Sequence, residues 1–136
     1  MALVKGIAHL GIAVRDLDKA LVFYRDALGL PIMKTADLRE QGVRAALLRL
    51  GDSGIELLEP RAGSALERFL ERRGEGLHHL ALESEDIAGA LAQLREKEAP
   101  LIDQEPRRGL NGLVAFVHPS ALHGVLVEME QPEHED

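Results

Sequence analysis

The chain contains no cysteine, which excludes disulfides and thiolate metal ligands and suits a reducing compartment. Nor is there an excess of basic residues: 16 Lys and Arg stand against 23 Asp and Glu, a net charge of -7. The cations are scattered among acids, so the sequence offers no contiguous basic face of the kind that nucleic acid requires. No apolar run approaches the roughly 18 residues of a membrane span. The opening Met1-Ala2-Leu3-Val4-Lys5 has neither the basic region nor the long apolar core of a secretory signal. These absences predict a soluble, cytoplasmic protein with neither nucleic acid nor membrane as a partner.

Apolar material and repetition are present instead. With 46% hydrophobic residues, a chain of 136 residues can fold on its own as one domain. His9-Leu10-Gly11-Ile12 leads, after three residues, to Asp16-Leu17 and then Ala20-Leu21. His79-Leu80-Ala81-Leu82 leads in the same way to Asp86-Ile87 and Ala90-Leu91, with an offset of 70 throughout. Each copy closes with a glutamate inside an apolar run, Glu56 in Ile55-Glu56-Leu57-Leu58 and Glu128 in Val127-Glu128-Met129.

Residues 7–14 read as a buried strand. Asp16 is placed to N-cap a helix in which Leu17, Ala20, Leu21, Tyr24 and Leu28 recur at helical spacing, with Gly29 as C′ and Pro31 barring continuation. An extended segment near 31–37, a turn at Gln41-Gly42, a strand from Val43 to Leu50, a turn at Gly51–Gly54 and a strand at 55–59 complete a β-α-β-β-β module. Ser64 and Glu67 form a capping box for a linking helix, ALERFLERR, ended by Gly74. The second half repeats the pattern with a strand at 77–83, a helix at 86–98 and a strand near 100–103. A polar loop from Pro106 to Gly112, strands at 113–118 and 124–130, and a polar, frayed tail QPEHED follow. The expectation is one α+β domain over 1–136, with module one at about 5–60, a helical linker at 61–75 and module two at about 76–130.

Side chains alternate across a strand, so each histidine and glutamate has identifiable neighbours on its own face. His9 shares a face with Gly11 and Ala13, and His79 with Ala81; the bulky residues Leu10, Ile12, Val14, Leu80 and Leu82 point the other way. Glu56 lies opposite Ile55 and Leu57, and Glu128 opposite Val127 and Met129. The apolar faces are suited to packing on helices, and small residues beside the histidines leave a hollow. Taken singly, a strand histidine is ordinarily a hydrogen-bonded core or surface residue, and a strand glutamate a solvated one. The matching positions of all four weigh against that reading, because buried carboxylates are costly unless paired or bound to metal. A four-ligand metal site and a set of ordinary buried polar residues both stand at this point.

These residues carry a resemblance. Paired modules with His, Glu, His and Glu on equivalent strands resemble the vicinal oxygen chelate (glyoxalase-like) superfamily. Within it the wording is similar to that of the methylmalonyl-CoA epimerases over almost the whole chain. The first strand and helix, His9–Val14 with Phe23-Tyr24 and Leu28-Gly29-Leu30, are shared across the superfamily. Glu40-Gln41-Gly42-Val43 matches as well, and more specific are Gly76-Leu77-His78-His79 and the ending with His118-Pro119 and Gly124-Val125-Leu126-Val127-Glu128. The resemblance implies two tandem modules forming one curved, cupped mixed sheet with helices on its outer face. It implies His9, Glu56, His79 and Glu128 as ligands of a divalent ion, Co²⁺ first among Co²⁺, Mn²⁺, Ni²⁺ and Zn²⁺. Some epimerases carry Gln where this chain has Glu56. His79, the repeat-mate of His9, is the expected ligand of the His78-His79 pair; His78 is expected to be structural, and His118 structural or near the pocket rim.

The implied reaction interconverts the R and S forms of methylmalonyl-CoA by α-proton removal and return through a metal-stabilised enolate. Two proton-transfer groups must face each other across the carbon. The resemblance points to Glu40 for one and to Glu128, doubling as ligand, for the other. An acyl-CoA as small-molecule partner and a homodimer are implied as well. A glyoxalase I-type lactoylglutathione lyase, with the same ligand pattern, and a metal-free binding protein of the same fold are the alternatives.

Overall fold

The computed structural model describes residues 3–133; His134 to Asp136 of the expected tail and the first two residues of the opening segment lie outside them. The elements run β1 (Gly6–Ala13), α1 (Leu17–Leu21) widening into a π-helical segment (Val22–Ala27), β2 (Ile32–Leu38), β3 (Val43–Leu50), β4 (Ser53–Pro60), α2 (Ala65–Arg73), β5 (Gly76–Glu83), α3 (Ile87–Glu96), β6 (Arg107–Gly109), β7 (Gly112–Val117) and β8 (Val127–Pro132). Short 3-10 turns span Arg39–Gln41 and Pro119–Leu122. Each half thus reads β-α-β-β-β, with α2 between them. Among the described residues no helix is long and apolar enough to cross a membrane.

The chain divides into two compact units. One holds Leu10–His78, with strands hydrogen-bonded in the order β2-β3-β4-β1. Its β1 and β4 run parallel, and β3 is antiparallel to both β2 and β4. Ile12, Leu57, Ala46 and Leu48 point to one face, where Leu17, Leu21 and Tyr24 of the helical segment close an apolar core. The opposite face presents Gly11, Glu56 and Leu47, which lie in register across three strands.

The other unit joins the chain up to His9 with the chain from His79 onward. Its strands β5 to β8 are hydrogen-bonded in the order β5-β8-β7-β6. β5 and β8 are parallel, and β7 is antiparallel to β8 and β6. Ala115, Val117 and Met129 pack beneath Ile87, Ala90 and Leu91 of α3. The other face carries His79 and Ala81 of β5, Glu128 and Glu130 of β8, and Val114 and Phe116 of β7.

Helix starts follow the sequence. Asp16 accepts from Lys19 N and Asp86 from Gly89 N, and each helix is capped a second time by a strand residue. Leu17 N donates to Glu59 Oε2 at 2.7 Å, and Ile87 N to Gln131 Oε1 at 3.0 Å. Such caps satisfy N–H groups that the helix itself leaves without partners. The α2 capping box also forms, with Ser64 accepting from Glu67 N, although Glu67 reaches back to Gly63 N rather than to Ser64 N.

Four expectations are corrected. The first helix is α-helical only to Leu21, because the bond from Leu28 N to Phe23 O spans five residues and widens the turn. The helix expected at 86–98 stops at Glu96, since Glu98 takes a left-handed conformation (φ 58) and Ala99 N bonds back to Leu94 O in a Schellman ending. The strand expected near 100–103 is a single bridge, Leu101 to Val117, because Asp103's carboxylate takes the Phe116 N–H. The edge strand forms instead at Arg107–Gly109, inside the expected polar loop. Finally, β8 begins at Val127, not at 124, and runs into the expected tail, where Glu133 N donates to Asn111 O.

Candidate metal centre

Strand alternation gathers the site. His79 and Ala81 point to one side of β5, and Ala81 stands in register with Glu128 of β8. Alanine there leaves room for the imidazole and carboxylate beside it. His9, His79 and Glu128 are each at least nine-tenths buried. Their ligand atoms lie within 4.8 Å of one another. His9 Nε2 is 2.9 Å from His79 Nε2 and 3.2 Å from Glu128 Oε1, and His79 Nε2 is 3.8 Å from the same oxygen. The imidazole rings meet edge to face with centroids 5.0 Å apart, and His79 in turn meets the Phe116 ring at 5.6 Å. The Arg107 guanidinium lies over that Phe116 ring at 5.7 Å.

Burial pushes the Glu128 carboxyl above its ordinary range; the neighbouring His9 opposes the shift and the Glu130 charge adds to it. Among the described residues, Glu128 Oε1 is the buried side-chain oxygen without a hydrogen-bond partner, even at 3.2 Å from His9 Nε2.

The remaining expected site residues, Glu56 and Glu40, belong to the unit Leu10–His78. Glu56 is buried on β4, in register with Gly11. Glu40 is exposed on the 3-10 turn that precedes β3. Gly42 ends that turn in the left-handed conformation (φ 71), and a Cβ added there would stand 2.6 Å from Ser64 Cβ. Asp37, paired through both carboxylate oxygens with Arg61, braces the strand leading into the turn. His78 packs against Phe69 with centroids 4.8 Å apart, and burial, helped by the Arg73 charge, lowers its pKa to about 4. His118 is exposed and accepts from Ser120 N, capping the turn at Pro119–Leu122. Both therefore have contacts suited to structural roles.

Comparison with known proteins places this geometry. Residues 8–116 match the Glyoxalase/Bleomycin resistance protein/Dioxygenase superfamily. The mitochondrial methylmalonyl-CoA epimerase of Mus musculus is 38% identical over 126 residues, covering 90% of this chain and 71% of that protein. The ethylmalonyl-CoA/methylmalonyl-CoA epimerase of Cereibacter sphaeroides is 39% identical over 127 residues, covering 90% of this chain and 95% of that protein. The chain belongs to the methylmalonyl-CoA epimerase family. A variant of the Streptomyces coelicolor methylmalonyl-CoA epimerase, solved in complex with 2-nitronate-propionyl-CoA, has a TM-score of 0.91 at 39% identity, covering 95% of each chain. Epimerase-family membership thus brings with it the glyoxalase-like fold expected from the sequence.

Does the donor set of this epimerase-family chain fit a divalent cation? Imidazole and carboxylate suit first-row ions such as Co²⁺, Mn²⁺, Ni²⁺ and Zn²⁺. Bonds of about 2.1 Å at right angles set neighbouring ligand atoms about 3.0 Å apart, and a tetrahedral site about 3.4 Å. The three edges of 2.9, 3.2 and 3.8 Å lie around those values. A buried carboxylate oxygen without a hydrogen-bond partner costs about 1–3 kcal/mol or more, and a cation would offset that cost. The residues fit.

One further buried acid at this site is not marked by the sequence repeat. Glu130 is buried, and its Oε2 lies 2.9 Å from His9 Nδ1. The signal was the period of two: a residue two places after Glu128 on a strand shares its face.

Proposed function

We propose that this protein is a metal-assisted epimerase that interconverts the R and S forms of methylmalonyl-CoA. The observation that carries the reading is the convergence of His9 Nε2, His79 Nε2 and the orphaned Glu128 Oε1, buried together in a chain of the epimerase family. His9, His79 and Glu128 would hold the cation, and the family resemblance adds Glu56, buried on its own strand, as a fourth ligand. A divalent ion, Co²⁺ foremost, would supply Lewis-acid stabilisation of negative charge on the thioester oxygen.

Side chains do the rest. Glu40, free to meet solvent and substrate on its turn, takes the α-proton from one face. Glu128, doubling as ligand, returns a proton to the other; engaged with a cation it is the weaker base of the two. The two small-molecule ends of the reaction are acyl-CoA thioesters, and the working form is a cytoplasmic homodimer of single-domain chains.

The test is proton NMR of methylmalonyl-CoA in deuterated water. The α-proton should exchange in the presence of the protein, stop exchanging after chelation and resume on addition of Co²⁺. Exchange indifferent to chelator would remove the metal from the reading. Turnover of a glutathione hemithioacetal with no exchange on methylmalonyl-CoA would replace the epimerase by a lyase.

A further inference from the structure

Glu130 gives β8 a second buried acid on the face that carries Glu128. The two are successive site-facing residues, in register with Val114 and Phe116 of β7. Burying two carboxylates side by side is unfavourable, and each must be compensated by a donor or a cation. Glu130 has such a donor in His9, whose Nδ1 lies 2.9 Å from Oε2, with both side chains nine-tenths or more buried.

The direction of this bond follows from its chemistry. An ionised carboxylate only accepts, so the hydrogen belongs to His9 Nδ1. In the neutral ring Nε2 then carries the lone pair, and it is Nε2 that points at His79 Nε2 and Glu128 Oε1. A metal-ligating imidazole needs that tautomer, with its far N–H fixed by a carboxylate that holds the ring plane and raises the basicity of the ligating nitrogen.

We infer that Glu130 is a positioning residue: it holds His9 in the Nδ1–H form, with the Nε2 lone pair aimed at the cation site. The inference rests on the reading of His9, His79 and Glu128 as ligands. It is also particular to one histidine. Glu128 corresponds to Glu56 in the repeat, 72 residues earlier, and by the same offset Glu130 corresponds to Leu58. The repeat therefore supplies His9 with a carboxylate that has no counterpart at the equivalent position of the other half.

The experiment compares the full-length protein with Glu130→Gln and Glu130→Leu. Titration calorimetry with Mn²⁺ and Co²⁺ should show affinity reduced about 10-fold by Gln, whose amide oxygen still accepts from Nδ1, and about 100-fold by Leu. Glu130→Leu leaves the buried His9 Nδ1–H without an acceptor and should lower the Tm of the metal-free protein, whereas Glu130→Gln should lower it less, so ion affinity is the deciding readout. A merely structural role predicts a lower Tm with ion affinity unchanged in both variants, and that result overturns the inference. Long-range ¹⁵N–¹H spectra of the metal-free protein at a pH where His9 is neutral give the independent readout. They should show Nδ1–H at His9, lost in Glu130→Leu; Nε2–H at His9 in the unsubstituted protein also overturns it. Should the protein bind neither ion, the ligand reading fails, and the tautomer spectra still decide whether Glu130 sets the state of His9.

Discussion

Residues 39–42 and 109–112 occupy matching points of the repeat and differ in what they display. In the first stretch Glu40 stands exposed on a 3-10 turn that ends in Gly42 (φ 71). In the second, Leu110 and Asn111 turn the β6–β7 hairpin, which closes on the pair Gly109 and Gly112 (φ 143). Gly42 and Gly112 are 70 residues apart and obey the same constraint: a side chain at Gly42 would strike Ser64, and one at Gly112 would strike the carbonyl of Gln131. The backbone device that starts β3 and β7 is thus common to both halves, while the side chain two residues earlier is unconstrained by it and differs. The largest effect we predict breaks the halves apart at this point. Glu40→Gln should fold, bind metal and lose about 10²-fold or more of α-proton exchange, the magnitude usual for a proton-transfer group. Leu110→Gln, the same side chain at the matching position, should stay within about 3-fold of the unsubstituted rate in the NMR assay. Equal losses in the two variants would mean that Glu40 acts through its turn and not through its carboxylate.

What repeats was legible in the sequence, and what departs from the repeat was less so. His9, His79 and Glu128 were found because symmetry and strand alternation agree on them, and the structure brings all three together. Alternation sets Glu56 opposite Ile55 and Leu57, and Glu56 is buried on its strand. Glu130 escaped because its repeat-mate is Leu58, so symmetry gave it no weight; alternation alone would have found it. The edge strand Arg107–Gly109 was hidden for another reason. Three residues within Pro106-Arg107-Arg108-Gly109-Leu110-Asn111-Gly112 offer no apolar alternation, and their pairing is dictated by β7. Leu101-Ile102 after Pro100 looked like a strand on hydrophobicity, but the Asp103 side chain intercepts the backbone donor that a ladder would need.

The pair His78 and His79 sharpens the comparison in the second place. Adjacent on β5, they face opposite ways; His79 has His9 as its repeat-mate, whereas His78 corresponds to Ala8. With its pKa lowered to about 4 from an ordinary 6.5, His78 stays neutral in the folded protein while the unfolded chain takes up a proton. The unfolded state therefore binds more protons between those values, and stability rises with pH across that window. The contribution is fully present above pH 6.5 and is lost as the pH falls towards 4, by up to about 3 kcal/mol at about 1.4 kcal/mol per pH unit. His78→Ala should lower stability at pH 8 by leaving a cavity beside Phe69, yet flatten the decline between pH 6.5 and 4. Urea unfolding at both ends of the window would check it; an unchanged slope would move the pH dependence to other groups.

The smallest difference lies at the helix starts. Glu59 and Gln131 are repeat-mates at the offset of 72 that also relates Glu56 to Glu128, and each caps the helix of its own half through the same backbone N–H, that of Leu17 or of Ile87. One cap is charged and the other is not. A carboxylate at a helix N-terminus gains about 0.3–1 kcal/mol over a neutral acceptor, and Glu59 additionally has Arg44 Nη1 at 3.8 Å. Glu59→Gln should accordingly cost about 0.5–1 kcal/mol, a loss that shrinks in high salt. Gln131→Glu makes the reciprocal change in a different field. Gln131 shares a cleft with Glu83, Glu85 and Glu133, three acids against Lys5 and, paired with Glu133, Arg108 among the described residues. Repulsion from those acids opposes the gain from the helix, so Gln131→Glu should change stability by less than about half of the Glu59→Gln loss. Equal and opposite shifts in the two variants, measured by urea unfolding at low and high salt, would show that the halves respond to charge alike despite the acids around Gln131.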